Sequence, residues 1–180
     1  MRGRLFAVVG PSGAGKDTLM EAALGQRPDL HLVRRVITRP TDAGGEAFDG
    51  VSEAEFEQMR QAGGLALHWQ AHGLSYGIPE NINAALGRGQ DVVFNGSRGV
   101  LAEANRRYPG LIVLHITASI PTLAARLAAR GRETERDIAN RLKRASYGLP
   151  AGVNVRVIQN DGALSDAVAQ LLDALQPERV

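Results

Sequence analysis

The chain has 180 residues and a formal net charge of +2, a length that fits one domain with a substantial core. It has no cysteine, which excludes disulfide scaffolds, thiolate metal sites and thiol catalysis. No apolar run approaches a membrane span, and the basic residues, all arginine except Lys16 and Lys143, form neither a tail nor an aromatic-interleaved patch, so neither membrane nor nucleic acid is an expected partner. Arg2 and Arg4 precede only a five-residue apolar strand, not a signal peptide, and a cytoplasmic location is expected.

The first predicted element is a strand, Leu5-Phe-Ala-Val-Val, which breaks into Gly10-Pro11-Ser12-Gly13-Ala14-Gly15-Lys16-Asp17-Thr18 and then a helix over 18–24. Strand, glycine loop and helix together are the setting of a phosphate-binding loop. Gly10, Gly13 and Gly15 carry no Cβ, so backbone N–H groups can turn inward around a polyphosphate, with the positive end of the helix behind them. Lys16 adds a mobile charge for the β- and γ-phosphates, and Gly10 to Thr18 is the expected ATP site. The position after the lysine is ordinarily a Ser or Thr whose hydroxyl reaches Mg²⁺, but here it is Asp17. A carboxylate can hold Mg²⁺ directly or through its waters; it is also favoured at a helix N-terminus by the dipole alone.

A second strand is expected over 30–37, ended by Pro40 and the glycines of a turn-rich stretch to Gly50. Ser52-Glu-Ala-Glu55 is a capping box opening a short helix to about Ala62, which Gly63 and Gly64 end. Leu65 to Ala71 and Leu74 to Tyr76 read as two strands joined through His72-Gly73. From there the pattern alternates: helix 79–86, strand 91–94, helix 100–107, strand 111–116, helices 121–129 and 135–147, strand 153–158 and helix 164–175. Short apolar strands between amphipathic helices predict a three-layer α/β/α fold of the P-loop NTPase class, its parallel central sheet covered on both faces.

Several arginines stand at positions suited to phosphate. Arg39 and Arg98 follow predicted strands, and ligands of open α/β sheets bind beyond the carboxyl ends of strands. Arg130 and Arg132 flank Gly131 between two helices, with Arg141 further along, a unit that can close over ATP and bring guanidinium groups to a transferring phosphoryl group. No pair of residues suggests a base for activating a hydroxyl, which favours a phosphate acceptor, since a phosphate monoester is mostly dianionic near pH 7.

These residues resemble the guanylate kinase family along nearly the whole chain, in Gly10 to Lys16, Thr38-Arg39-Pro40, Gly45-Glu46, Asp49-Gly50, Val51-Ser52, Tyr76-Gly77, Arg126-Leu127, Arg130-Gly131, Arg141-Leu142 and Asn160-Asp161. The resemblance implies one guanylate-kinase-like domain over 1–180, with a small acceptor-binding insertion at about 35–78 and a lid at about 130–144. The departures are as informative. Where that family has a guanine-reading serine the chain has Arg35, and its second acceptor arginine is Asp42. Its Asp-Tyr-x-Phe segment is missing between Gly50 and Val51, and its guanine-accepting glutamate corresponds to His68 or Leu67. Its two aspartates after the next strand correspond to Asn95 and Ser97. Guanine presents N–H donors that need acceptors, so this pocket is not expected to take GMP.

With Gly-Lys-Asp in the loop, Ile37-Thr-Arg-Pro40, Asn95-Gly-Ser-Arg98, Gly131-Arg-Glu133 and Asn160-Asp-Gly162, the chain looks like a member of the ribose 1,5-bisphosphate phosphokinases, a family of bacterial phosphonate breakdown that makes 5-phosphoribosyl 1-diphosphate. That resemblance implies ATP and Mg²⁺ as donor and metal, and a small phosphosugar as acceptor. Lys16, Arg130 and Arg141 would act on the transferring group; Arg35, Arg39, Tyr76 and Arg98 would hold the acceptor. Asn160 would contact adenine, and Asp17 would serve the metal. Two other readings stay open: a nucleoside monophosphate kinase, and a guanylate-kinase-like binding module without turnover.

Overall fold

The computed structural model describes residues 1–11, 13–43, 46–131, 133–145 and 148–177. Strand β1 (Leu5–Val9) is buried along its whole length and lies at the centre of a five-stranded sheet. It runs parallel to β7 (Val92–Asn95) on one side and β8 (Ile112–Thr117) on the other. β2 (His31–Leu32) and β9 (Asn154–Gln159) add parallel edges, giving the order β2-β7-β1-β8-β9. The alternation along β1 divides the core. Phe6 and Val8 pack with Leu19, Met20 and Ala23 of α1 (Lys16–Leu24) and Leu171 of α7 (Leu164–Ala174). Leu5, Ala7 and Val9 pack on the other face with Leu86 of α3 (Ile82–Gly87) and Leu101 of α4 (Arg98–Arg107). An apolar run without polar positions is what a strand covered on both faces requires, and the expected parallel α/β/α core is present.

A second sheet of four strands, order β4-β3-β6-β5, is built from β3 (Arg35–Ile37), β4 (Phe48–Gly50), β5 (Leu65–Ala71) and β6 (Leu74–Pro79). Helix α2 (Glu53–Gln61) begins at Ser52 with both hydrogen bonds of the capping box in place, and its Phe56 packs with Val36 and Leu65. The β5–β6 hairpin turns at His72 and Gly73, with φ of 53° and 74°, the left-handed pair that matches strand twist.

Three element expectations are corrected. The strand expected over 30–37 is two strands in different sheets: Val33 still donates to Val93 at 2.9 Å, but past exposed Arg34 the chain leaves β7 and β3 pairs with β4 and β6. β4 lies within the stretch taken for a turn, where pairing with β3 supplies what local propensity lacks. The helix expected from Pro79 starts at Ile82, because Ile78 and Pro79 complete the ladder to Leu67 and Leu65. Ser146 and Tyr147, the expected end of helix α6 (Glu135–Ala145), lie outside the described residues. Among those described, no helix is long and apolar enough to cross a membrane.

Candidate active site

The loop after β1 is folded by close approaches that only glycine permits. A Cβ on Gly10 would stand 2.5 Å from the Ile116 carbonyl oxygen, and Gly13 and Gly15 have φ of +88° and +78°. The loop is braced from behind. Asn160, at the end of β9, donates through Nδ2 to the Ala14 carbonyl at 2.6 Å. Arg126 of α5 (Ile120–Ala129) donates to the Gly13 carbonyl at 3.2 Å and to the Asn160 carbonyl at 2.6 Å. Because the oxygen and hydrogen of a trans peptide point opposite ways, fixing the Ala14 carbonyl rearward turns the Gly15 N–H forward. Gly15 caps α1 without a side chain, so the first-turn N–H groups are left for a ligand.

In front of the loop lies a cavity of about 550 Å³. The loop and Lys16, Asp17 and Thr18 form one wall; Asn95 to Gly99 form another. Arg35 reaches in from β3 and Glu46 from just before β4, Ala71 and His72 from the hairpin tip, and Arg130 and Arg141 from the α5–α6 region. Five cationic side chains, Lys16, Arg35, Arg98, Arg130 and Arg141, thus face two carboxylates, Asp17 and Glu46. Burial pulls the Lys16 ammonium down to about 8; Asp17 opposes the shift and Arg35 adds to it. A polyphosphate here would restore its charge.

Asn95 is 6% exposed, and its Oδ1 is buried without a hydrogen-bond partner. Its Nδ2 stands 3.5 Å from an Asp17 carboxylate oxygen. A carboxylate at the cavity wall, with a polar amide next to it, suits a hard cation that draws most of its ligands from phosphates and water, as Mg²⁺ does. Such a site needs no cluster of three acidic or imidazole ligands, and the described residues contain none.

Arg35 is buried, its guanidinium clamped on three sides. Nε and Nη2 donate to the two Glu46 carboxylate oxygens, Nη1 donates to the Asn95 carbonyl at 3.1 Å, and the group lies 4.8 Å from the Tyr76 ring centre. Tyr76 in turn stacks on Trp69 at 5.5 Å. Burial pulls the Arg35 guanidinium down to about 10, eased by Tyr76 and Asp17, which leaves it charged at neutral pH.

Of the residues expected at the site, the cavity brings together Gly10, Pro11, Gly13, Gly15, Lys16, Asp17, Thr18, Arg35, Arg98, Arg130 and Arg141. Ala14 serves through its carbonyl, as above. Ser12 and Arg132 lie outside the described residues. Arg39 stands elsewhere than its position after a strand suggested: β3 belongs to the second sheet, and the Arg39 guanidinium lies 4.3 Å from the Phe48 ring centre. Tyr76 supports Arg35 from beneath. Asn160, expected at adenine, is 6% exposed behind the loop, its amide committed to Ala14.

The sequence reading assigned no role to Glu46, His72, Arg126 or Glu133. Glu133 holds Arg141 through a bond of 2.7 Å between Oε1 and Nη2. Glu46, Arg126 and Glu133 do lie in the motif matches, the one signal that could have singled them out.

Comparison with known proteins agrees with this geometry. The family model described as guanylate kinase matches residues 2–178. The ribose 1,5-bisphosphate phosphokinase PhnN of Agrobacterium fabrum is 46% identical over 175 residues, covering 96% of each chain. A bifunctional ribose 1,5-bisphosphokinase-thymidine phosphorylase of Cupriavidus necator is 43% identical; the match covers 97% of this chain and 29% of that protein. Among solved structures, a guanylate kinase from Anaplasma phagocytophilum superimposes with a TM-score of 0.70 at 16% identity, covering 96% of this chain and 84% of the other, a likeness of fold.

Proposed function

The chain belongs to the guanylate kinase family and, within it, to the ribose 1,5-bisphosphate phosphokinases, and from that premise we propose that it transfers the γ-phosphoryl group of ATP to the 1-phosphate of ribose 1,5-bisphosphate, giving 5-phospho-α-D-ribose 1-diphosphate and ADP. The observation that carries the reading is the charge of the cavity: five cationic side chains against two carboxylates, one of them consumed by Arg35, in front of a phosphate cradle. A triphosphate donor and a doubly phosphorylated acceptor supply the negative charge that such a cavity lacks.

In this reading the backbone of Gly10 to Thr18 holds the β- and γ-phosphates, and Lys16 spans them. Asp17, with the Asn95 side chain beside it, would hold Mg²⁺, and the metal would supply positive charge against those phosphates. Arg98 holds the acceptor from the α4 N-terminus, and Tyr76 supports that side from beneath Arg35. Arg130 and Arg141 meet the equatorial oxygens of the transferring group, where charge is spread in the transition state. An oxygen of the acceptor's 1-phosphate forms the new P–O bond as the bond to ADP breaks. That phosphate is already mostly dianionic near pH 7, so no side chain need take a proton.

A coupled ADP-release assay with ribose 1,5-bisphosphate, ribose 5-phosphate and GMP as acceptors tests the proposal. Turnover confined to the bisphosphate is expected. Turnover of GMP alone would mean a nucleotide kinase, and absence of ATP binding would mean a non-catalytic module.

A further inference from the structure

One carboxylate in this cavity has no task in the transfer itself. Glu46 lines the cavity with its side chain 22% exposed, and its two oxygens accept from the Nε and Nη2 of Arg35, whose side chain is only 9% exposed. Arg35 cannot swing, because Nη1 is tied to the Asn95 carbonyl at 3.1 Å and its guanidinium lies over Tyr76. The carboxylate is therefore held rigidly in one orientation. Each of its oxygens has two lone pairs and the guanidinium fork takes one, so each keeps an acceptor position for a ligand.

A fixed acceptor pair does not suit the phosphates of donor or acceptor, which repel it. It suits a neutral group with two neighbouring O–H donors, and carboxylates recognise ribose hydroxyls in this way elsewhere. Resting on the acceptor proposed above, we infer that Glu46 binds the 2- and 3-hydroxyl groups of the pentose and makes the enzyme select ribose over 2-deoxyribose. Arg35 is then a positioning residue. It orients Glu46 and lowers the desolvation cost of a carboxylate at the cavity wall, a different task from gripping an acceptor phosphate.

The test compares kcat/KM for ribose 1,5-bisphosphate and 2-deoxyribose 1,5-bisphosphate. A site built to bind a hydroxyl penalises the analogue lacking it, so the wild type should favour the ribose compound by about tenfold or more. In Glu46→Gln the preference should shrink to within about threefold, through loss of activity on the ribose substrate. Because Glu46→Gln leaves a buried guanidinium poorly paired, Arg35→Met/Glu46→Leu serves as a second variant; replacing both partners with apolar groups is often tolerated. It should show the same loss of preference. A residue acting only as counter-ion to Arg35 would depress both substrates alike, and a preference unchanged in the variants overturns the assignment. So does a wild type that turns over both bisphosphates equally. Failure of the wild type to turn over either compound would instead sink the proposed function, and this inference with it.

Discussion

Replacing Gly15 with alanine tests how the phosphate loop is held. The residue has φ of +78°, and an added Cβ would lie 2.7 Å from the Asn160 Nδ2. The left-handed conformation alone costs about 1–2 kcal/mol for a residue with a Cβ. Asn160 cannot yield freely, since it is 6% exposed and its Nδ2 holds the Ala14 carbonyl at 2.6 Å. Displacing it leaves a buried donor and acceptor unpaired, for about 1–3 kcal/mol more. Gly15→Ala should therefore lose about 2–5 kcal/mol in urea unfolding followed by circular dichroism. Gly131→Ala is the control, because Gly131 has φ of +60° but nothing within 4 Å of the added Cβ. It should lose only the conformational part, about 1–2 kcal/mol. In a double-mutant cycle, Gly15→Ala/Asn160→Ala should be less damaged than the two single losses predict, by about 1 kcal/mol, because removing the amide removes the clash. Equal destabilisation at Gly15 and Gly131, together with strict additivity, would refute the bracing role given to Asn160.

Glu133→Gln should weaken the hold on Arg141 and lower kcat about tenfold, while the Kd for ATP stays within about twofold; an equal fall in both would mean a general loss of structure. Asp17→Ser should weaken Mn²⁺ binding to the ADP complex about tenfold in electron paramagnetic resonance titrations, and adding Asn95→Asp should restore it. If Mn²⁺ affinity in the single variant matches wild type, Asp17 has no part in the metal site. The pH dependence of ATP binding without divalent cation follows from Lys16, held near 8 in the free protein. Bound phosphates raise it, so the Lys16 contribution to ATP affinity should be flat below about pH 7.5 and fall roughly tenfold between there and about pH 9. Without nucleotide the sign is opposite: the unfolded chain keeps the proton to about 10.5, so this group's contribution to stability rises from about pH 8 to 10.5. A Lys16→Met variant that retains the same pH profile for ATP would contradict both statements.

The features legible in the sequence were those set by neighbouring residues. Leu5 to Thr18 declares a strand, a glycine loop and a helix within a few residues, and the Ser52 capping box is equally local. The break between β2 and β3 was not legible, because it depends on Val33 pairing with Val93 and on which strand receives Arg35. A three-residue strand such as β4 leaves too little pattern to outweigh the glycines around it. The role of Asn160 depends on a carbonyl 146 positions away, and a resemblance could suggest adenine there while the fold commits the amide to Ala14. Arg35 was legible as a cation in the site, but its clamp by Glu46, Asn95 and Tyr76 required the second sheet to bring them together.

Phosphorus NMR of the reaction products tests the central claim most directly. Incubation with ATP, Mg²⁺ and ribose 1,5-bisphosphate should convert the signal of the 1-phosphate into the paired signals of a diphosphate ester, matched by ADP, while the 5-phosphate signal persists. An unchanged bisphosphate spectrum alongside rapid conversion of GMP to GDP would contradict the account.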